Sequence, residues 1–204
     1  GIAGFLGLSD VQLLRRMSEI LSHRGPDDSG EFLDDGIGLA NRRLSIIDVQ
    51  GSHQPVHNED EAIWVVFNGE VYNYRQLREM LRKTGHRFYT NGDTEVIAHL
   101  YEEKGSGFAS EINGIFAIAI WDSKKRRLVL ARDPIGIKPL YYAIHNGIIL
   151  FASEVKAILL WDDLKPRLDE QALHLLFNLF YIPGEMTMFQ GVKKLLPGHI
   201  LVVE

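Results

Sequence analysis

Cysteine is missing altogether from these 204 residues, so the chain as written holds no disulfide and no thiolate metal site. Long apolar runs are missing too, none approaching the roughly 20 residues a membrane helix needs. No basic, apolar, small-residue segment opens the chain as an export signal would, and the expected location is the cytoplasm. Glycine-rich phosphate loops do not occur, neither GxGxxG nor GxxxxGK followed by Ser or Thr, so no ATP site is expected here. Charge of either sign is not in large excess. Lys and Arg number 22 against 27 Asp and Glu, a net charge of −5 that gives no broad attraction for nucleic acid or anionic lipid. The basic cluster SKKRRL at 123–128 lies between two apolar runs and reads as a hairpin turn. Eight histidines are spread along the chain, and no metal site is expected from them.

What is present suits one large domain with a sizeable core. An amphipathic helix is expected from Ser9 to about Leu21, with Val11, Leu14, Met17 and Leu21 on one face and Ser9 or Asp10 as cap. Strand-like runs follow at 30–34, 37–41 and 43–48, and AIWVVFNG reads as a buried strand ending in a turn. Two helices come next, one capped by Asn73 and closed by Gly85, one from Asp93 to Lys104 closed by Gly105. Four strand-like runs between Gly114 and Ser153 are joined by short turns, with Asn146-Gly147 as a tight-hairpin pair. Short turns imply antiparallel pairing, and apolar residues on both faces imply a sheet covered on both sides. A last helix over DEQALHLLFNLF and a final strand HILVVE complete the chain. Its apolar start and end read as abrupt, and the end reads as a cut ahead of a further domain.

Three stretches could carry chemistry. The Asn68-Gly69 pair in FNGEVYN places an amide side chain and an unhindered N–H after a strand, which suits an oxyanion hole or simply a turn. In NRRLSIID, one of Arg42 and Arg43 must face inward if the strand is buried. An inward guanidinium matches a carboxylate with its two-pronged donors, unless the pair is solvated or internally paired. Asp93, at a loop-to-helix boundary, could cap the helix or hold a substrate ammonium. The stretch ARDPIGIKPLYY reads as structural.

Together GIAGF, HRGPD, RLSIID, FNGEVYN, GDTEV, GIFAIAIWD, RDPIGIKPLYY, FASEVKAI and YIPGEMTMFQGVKKLLPGH, in that order, resemble the glutaminase domain of class II glutamine amidotransferases. Within that superfamily the chain is most similar to glutamine-hydrolysing asparagine synthetases. The resemblance implies an α+β fold, a four-layer αββα sandwich of two mainly antiparallel sheets. It implies residues 1–165 as the glutaminase domain and 166–204 as its extension toward a separate synthetase domain. It implies hydrolysis of glutamine to glutamate and ammonia for ATP-dependent asparagine synthesis. The domain itself would need no cofactor, ATP and Mg being required only by the synthetase domain, and a homodimer is compatible with the family. The family's nucleophile is a cysteine directly before Gly-Ile, which here would precede Gly1. Its absence from the chain leaves three explanations: not recorded, removed, or never present in a scaffold-type relative. By position, Arg43 would hold the glutamine carboxylate and Asp93 its ammonium. Asn68 and Gly69 would form the oxyanion hole. The carbonyls of Glu70 and Ile46 would line the pocket, with Arg24 and residues 25–27 at its edge.

Overall fold

The computed structural model describes residues 1–44 and 53–204. Ile46 and most of the expected 43–48 strand lie outside the described residues.

Strands β1 (Ile2–Leu6), β2 (Asp28–Asp34), β3 (Ile37–Arg43), β8 (Tyr141–His145), β9 (Ile148–Ala152) and β10 (Val192–Lys194) form one sheet in the order β10-β8-β9-β1-β3-β2. The second sheet, β11-β7-β6-β5-β4, comprises β4 (Val56–His57), β5 (Ile63–Val71), β6 (Gly114–Asp122), β7 (Arg127–Arg132) and β11 (Ile200–Val203). The pairings between these strands are antiparallel. Strands of the 166–204 stretch thus close an edge of each sheet.

Strand alternation divides the apolar residues among three cores. Ile2, Ile37 and Leu39 of the first sheet meet Val66, Ala117, Ala119 and Trp121 of the second between the sheets. Ala3 and Phe5 face the other way, against Leu13, Leu14 and Met17 of α1 (Val11–Glu19) and Ala157 and Ile158 of α4 (Val155–Ile158). Val65, Phe67 and Ile118 pack under Leu77 and Leu81 of α2 (Tyr74–Lys83) and Val96, Ile97 and Leu100 of α3 (Glu95–Lys104). The layers are therefore helix, sheet, sheet, helix.

Local chemistry sets the element ends. Asp10 Oδ1 accepts from Leu13 N–H at 2.9 Å, capping α1, and Asp169 caps α5 (Glu170–Leu179) through Ala172 N–H at 2.9 Å. Asn146 and Gly147 both take positive φ, as a two-residue hairpin between β8 and β9 requires. Residues 123–126 form the turn expected between β6 and β7.

One expectation is corrected. Asn68-Gly69 is not a turn at a strand end but the interior of β5, with Asn68 opposite Ala117 and Gly69 opposite Phe116. Glycine serves here for close approach, since a Cβ on Gly69 would lie 2.0 Å from the Ile115 carbonyl oxygen.

Candidate functional site

A cleft of about 190 Å³ opens between the end of β3 and the second half of β5. Arg24, Arg43, Asn68, Gly69, Glu70 and Asp93 all line it, so the structure brings together the described residues singled out from the sequence. Asn41, Gln54, Thr94 and Lys138 line it as well.

The arginine pair splits as the strand requires. Arg42 Nε donates to Ser18 in α1, to its carbonyl at 3.2 Å and its hydroxyl at 3.1 Å, so Arg42 faces the helix layer. Arg43 falls on the opposite face, which it shares with Asn41. Asn41 Nδ2 crosses between the sheets to the Phe67 carbonyl at 3.1 Å. At the edge of the cleft, Arg24 Nη1 donates to Glu154 at 3.0 Å. Gly25 is forced by packing, because a Cβ there would sit 2.4 Å from the Arg42 carbonyl.

Strand β5 presents its donors to the cleft along the edge that β4 leaves uncovered. Phe67 N–H donates to Gln54 Oε1 at 2.7 Å and Val71 N–H to Asp93 Oδ2 at 3.0 Å. Backbone groups alternate along a strand, so the Gly69 N–H between them points to the same edge. Beside it, Asn68 Nδ2 is buried and has no hydrogen-bond partner among the described residues. A buried amide donor left open toward a cleft costs stability unless a ligand fills it. Side chain and backbone thus supply two adjacent neutral donors.

Asp93 does not use its carboxylate as a side-chain cap of α3, whose N-cap residue is Thr94. Its bond to Val71 ties the loop before α3 to the end of β5 instead. Burial raises the Asp93 pKa and Glu70 adds to this, against backbone hydrogen bonds and the nearby Arg43 cation. A positive group entering the cleft would favour its charged form.

The first strand reaches the cleft without fraying. Gly1 N donates to the Arg42 carbonyl at 2.6 Å and Arg42 N–H to the Gly1 carbonyl at 2.7 Å, continuing the β1–β3 ladder. As an amine, the Gly1 nitrogen is pushed down to a pKa of about 5 by burial and then by the Arg24 and Lys138 cations, with Glu154 opposing. The start of the chain therefore sits in a dry, electropositive place.

Glu154 anchors that neighbourhood. Burial works against its charge, yet hydrogen bonds from Arg24, His23 and Lys156 hold its pKa down at about 2. A depressed carboxylate stabilises the fold fully above its unfolded pKa near 4.5, and the contribution disappears as pH falls through about 2. The melting-temperature gap between wild type and Glu154→Gln is expected to be full near neutrality and to close over that window. A gap independent of pH in melting curves would refute the assignment.

Lys138, Gln54 and Asn41 were not foreseen from the sequence. Lys138 is placed by a loop wound on Asp133, whose carboxylate accepts from the N–H groups of Ile135, Ile137 and Lys138 at 3.0–3.2 Å. That agrees with the structural reading of ARDPIGIKPLYY. An Arg-Asp pair followed by Pro and Gly was the available signal.

Two antiparallel sheets between helix layers, with a polar cleft between the end of β3 and the second half of β5, define the N-terminal nucleophile hydrolase type of fold. The chain belongs to the glutamine amidotransferase domain family, whose model matches residues 1–204. It is similar to glutamine-hydrolysing asparagine synthetase 1 of Bacillus subtilis (strain 168), at 43% identity over 92% of this chain and 29% of the relative. Asparagine synthetase 3 of the same organism is 38% identical over 98% of this chain and 34% of the relative. The chain spans about a third of the length of these curated relatives. Among solved structures, the glutamine phosphoribosylpyrophosphate amidotransferase from B. subtilis matches with a TM-score of 0.64 at 21% identity, over 77% of this chain and 42% of that one. A structure described as the allosteric regulatory enzyme of purine biosynthesis matches with a TM-score of 0.68 at 21% identity, over 78% and 43%. At that identity the likeness speaks for the fold. Among the described residues, no helix is long and apolar enough to cross a membrane.

Proposed function

We propose that this domain hydrolyses glutamine to glutamate and ammonia, with a cysteine directly ahead of Gly1 as nucleophile. The observation that carries the reading is the β1 ladder running to Gly1, together with a cleft lined by Gly69 and by the Asn68 amide, whose buried nitrogen has no hydrogen-bond partner among the described residues. By strand alternation, a residue ahead of Gly1 lies opposite Arg43 and faces the same side as Ile2, toward the space between the sheets where the cleft opens. The Arg24 and Lys138 cations that disfavour an ammonium at Gly1 would favour a thiolate there.

The residues then take distinct parts. Arg43 pairs with the α-carboxylate of glutamine and Asp93 with its α-ammonium. Arg24 and Lys138 border the site, and Glu70 lines it. The cysteine's own α-amino group, with an unperturbed pKa of about 7.7–8.0, is matched to receive the thiol proton and pass it to the leaving nitrogen. Sulfur bonds to the side-chain amide carbon, the C–N bond breaks and ammonia leaves a thioester, which water then cleaves to glutamate and free thiol. Asn68 and Gly69 stabilise the oxyanion in both steps.

The ammonia would serve ATP-dependent synthesis of asparagine from aspartate in a synthetase domain outside this chain, where ATP and Mg would be needed. The similarity to asparagine synthetases about three times longer supports this, as does an apolar surface on and after α5. Phe177 is 74% exposed there and Phe180 90%, with Leu179 and Tyr181 beside them. Such a patch suits a covering domain. The reading places the protein in the cytoplasm.

An ammonia-release assay on two matched proteins tests it: this chain as given, and the same chain with a processed cysteine ahead of Gly1. Ammonia from glutamine is expected only from the second. If both are folded and silent, glutamine calorimetry separates a glutaminase awaiting its partner domain, which binds glutamine, from a scaffold, which does not.

A further inference from the structure

On the far face of the second sheet, away from the cleft, Glu59, His86, His99 and Glu102 each offer a ligand atom, and these atoms lie within 4.8 Å of one another. We propose that these four side chains form a structural binding site for one zinc-type divalent cation, which pins α3 to the β4–β5 loop and to the segment after α2.

The histidines face a common point. His86 Nδ1 and His99 Nδ1 each lie 3.2 Å from a different oxygen of Glu59, Oε1 and Oε2 respectively. Two ligands about 2.0–2.1 Å from a tetrahedral Zn²⁺ stand roughly 3.3–3.4 Å apart. The His99 contact is not a hydrogen bond: its Nδ1 is buried and has no hydrogen-bond partner among the described residues. His86 Nδ1 does hydrogen-bond Glu59 Oε1, so the His99 Nδ1 is the buried ligand atom left without a donor or acceptor among the described residues, and it faces the other Glu59 oxygen.

The opposite ring nitrogens are held as those of metal-binding imidazoles are. His99 Nε2 lies 3.4 Å from Glu95 Oε1, and His86 Nε2 lies 3.1 Å from Glu103 Oε1. Such carboxylate–histidine pairs fix the tautomer so that Nδ1 carries the lone pair toward the ion. Glu95 is itself fully buried and takes the N–H groups of Tyr89 and Thr90 at 2.9 and 2.7 Å, so it cannot swing away. Glu102 is held by Asn58 Nδ2 at 3.0 Å. Every member of the cluster therefore has a second contact that orients it, the Arg87 N–H supplying that of Glu59 at 2.7 Å.

Two imidazoles and two carboxylates suit zinc and its neighbours better than magnesium or calcium. Four protein donors fill a tetrahedron and leave no position for a substrate, which makes the site structural. His99 is fully buried whereas Glu59 and Glu102 are exposed, so an ion enters from solvent. The sequence concealed the set because its ligands come from three segments. The sequence does hold one pair at HxxxH spacing, His53 and His57, but it brackets Pro55 and ends in a strand, and those rings contact Asp28 and the Asn58 carbonyl instead.

The test is zinc titration by calorimetry at neutral pH on the metal-stripped chain, with melting curves alongside. One equivalent is expected to bind and to raise the melting temperature in a saturable way. His86→Gln and Glu102→Gln, both at less buried positions than His99, should each weaken binding at least tenfold, while His145→Gln leaves it unchanged. Circular dichroism confirms that the variants are folded. No saturable binding by the wild-type chain, or undiminished binding in either ligand variant, overturns the site and leaves the cluster as an ion-paired network.

Discussion

Asn68→Ala, made in the protein that carries the cysteine, is expected to lower turnover on the order of a hundredfold or more while glutamine affinity changes little. The Asn68 amide nitrogen is buried, open toward the cleft and rooted in the interior of β5, so its position is fixed before substrate arrives. A donor of that kind is worth most when charge develops on the substrate oxygen, and less when the oxygen is a neutral carbonyl. Alanine removes the donor and leaves the backbone ladder to Ala117 intact. Steady-state kinetics decide the matter: a rise in KM at unchanged kcat would make Asn68 a binding residue and refute the oxyanion role.

Arg43→Ala is expected to weaken glutamine binding by about 1.5–3 kcal/mol, the loss of a charge-assisted pair. Arg43 ends β3 on the face opposite Arg42; both line the cleft, but Arg42 Nε is held by Ser18 of α1, which leaves Arg43 as the candidate for the substrate carboxylate. Its cation is also felt by Asp93, which places the two charged ends of the site within electrostatic reach. Calorimetry on the folded variant gives the answer, and unchanged affinity would remove Arg43 from the site. Lysine should recover only part of the loss, because a point charge lacks the planar fork.

Where one residue type meets one local geometry, the sequence was legible. Asp10 and Asp169 cap their helices and Asn146-Gly147 turns its hairpin as composition alone predicts. The apolar residues on both faces of β6 anticipated cores on both sides of its sheet. Asn68-Gly69 misled, because the pair most typical of a turn is used here for close strand approach, a demand set by Ile115 on another strand. Asp93 was readable as either a cap or a ligand-holder, and its bond to Val71 depends on how α3 docks against β5. The Gln54 and Asn41 contributions were hidden for the same reason. Their roles exist only because β4 ends before Phe67.

The Asn41 to Phe67 bond joins β3 of one sheet to β5 of the other. Arg43 rides on the first and Asn68 on the second, with an apolar interface packed between them. On the proposed reading, the reaction centre would work as a vernier, reading the alignment of two plates. A slip of about 1 Å, too small to register in a melting curve, would already misplace donors against substrate and cost on the order of a hundredfold in rate. Variants at the buried seam should accordingly lose activity well before they lose structure.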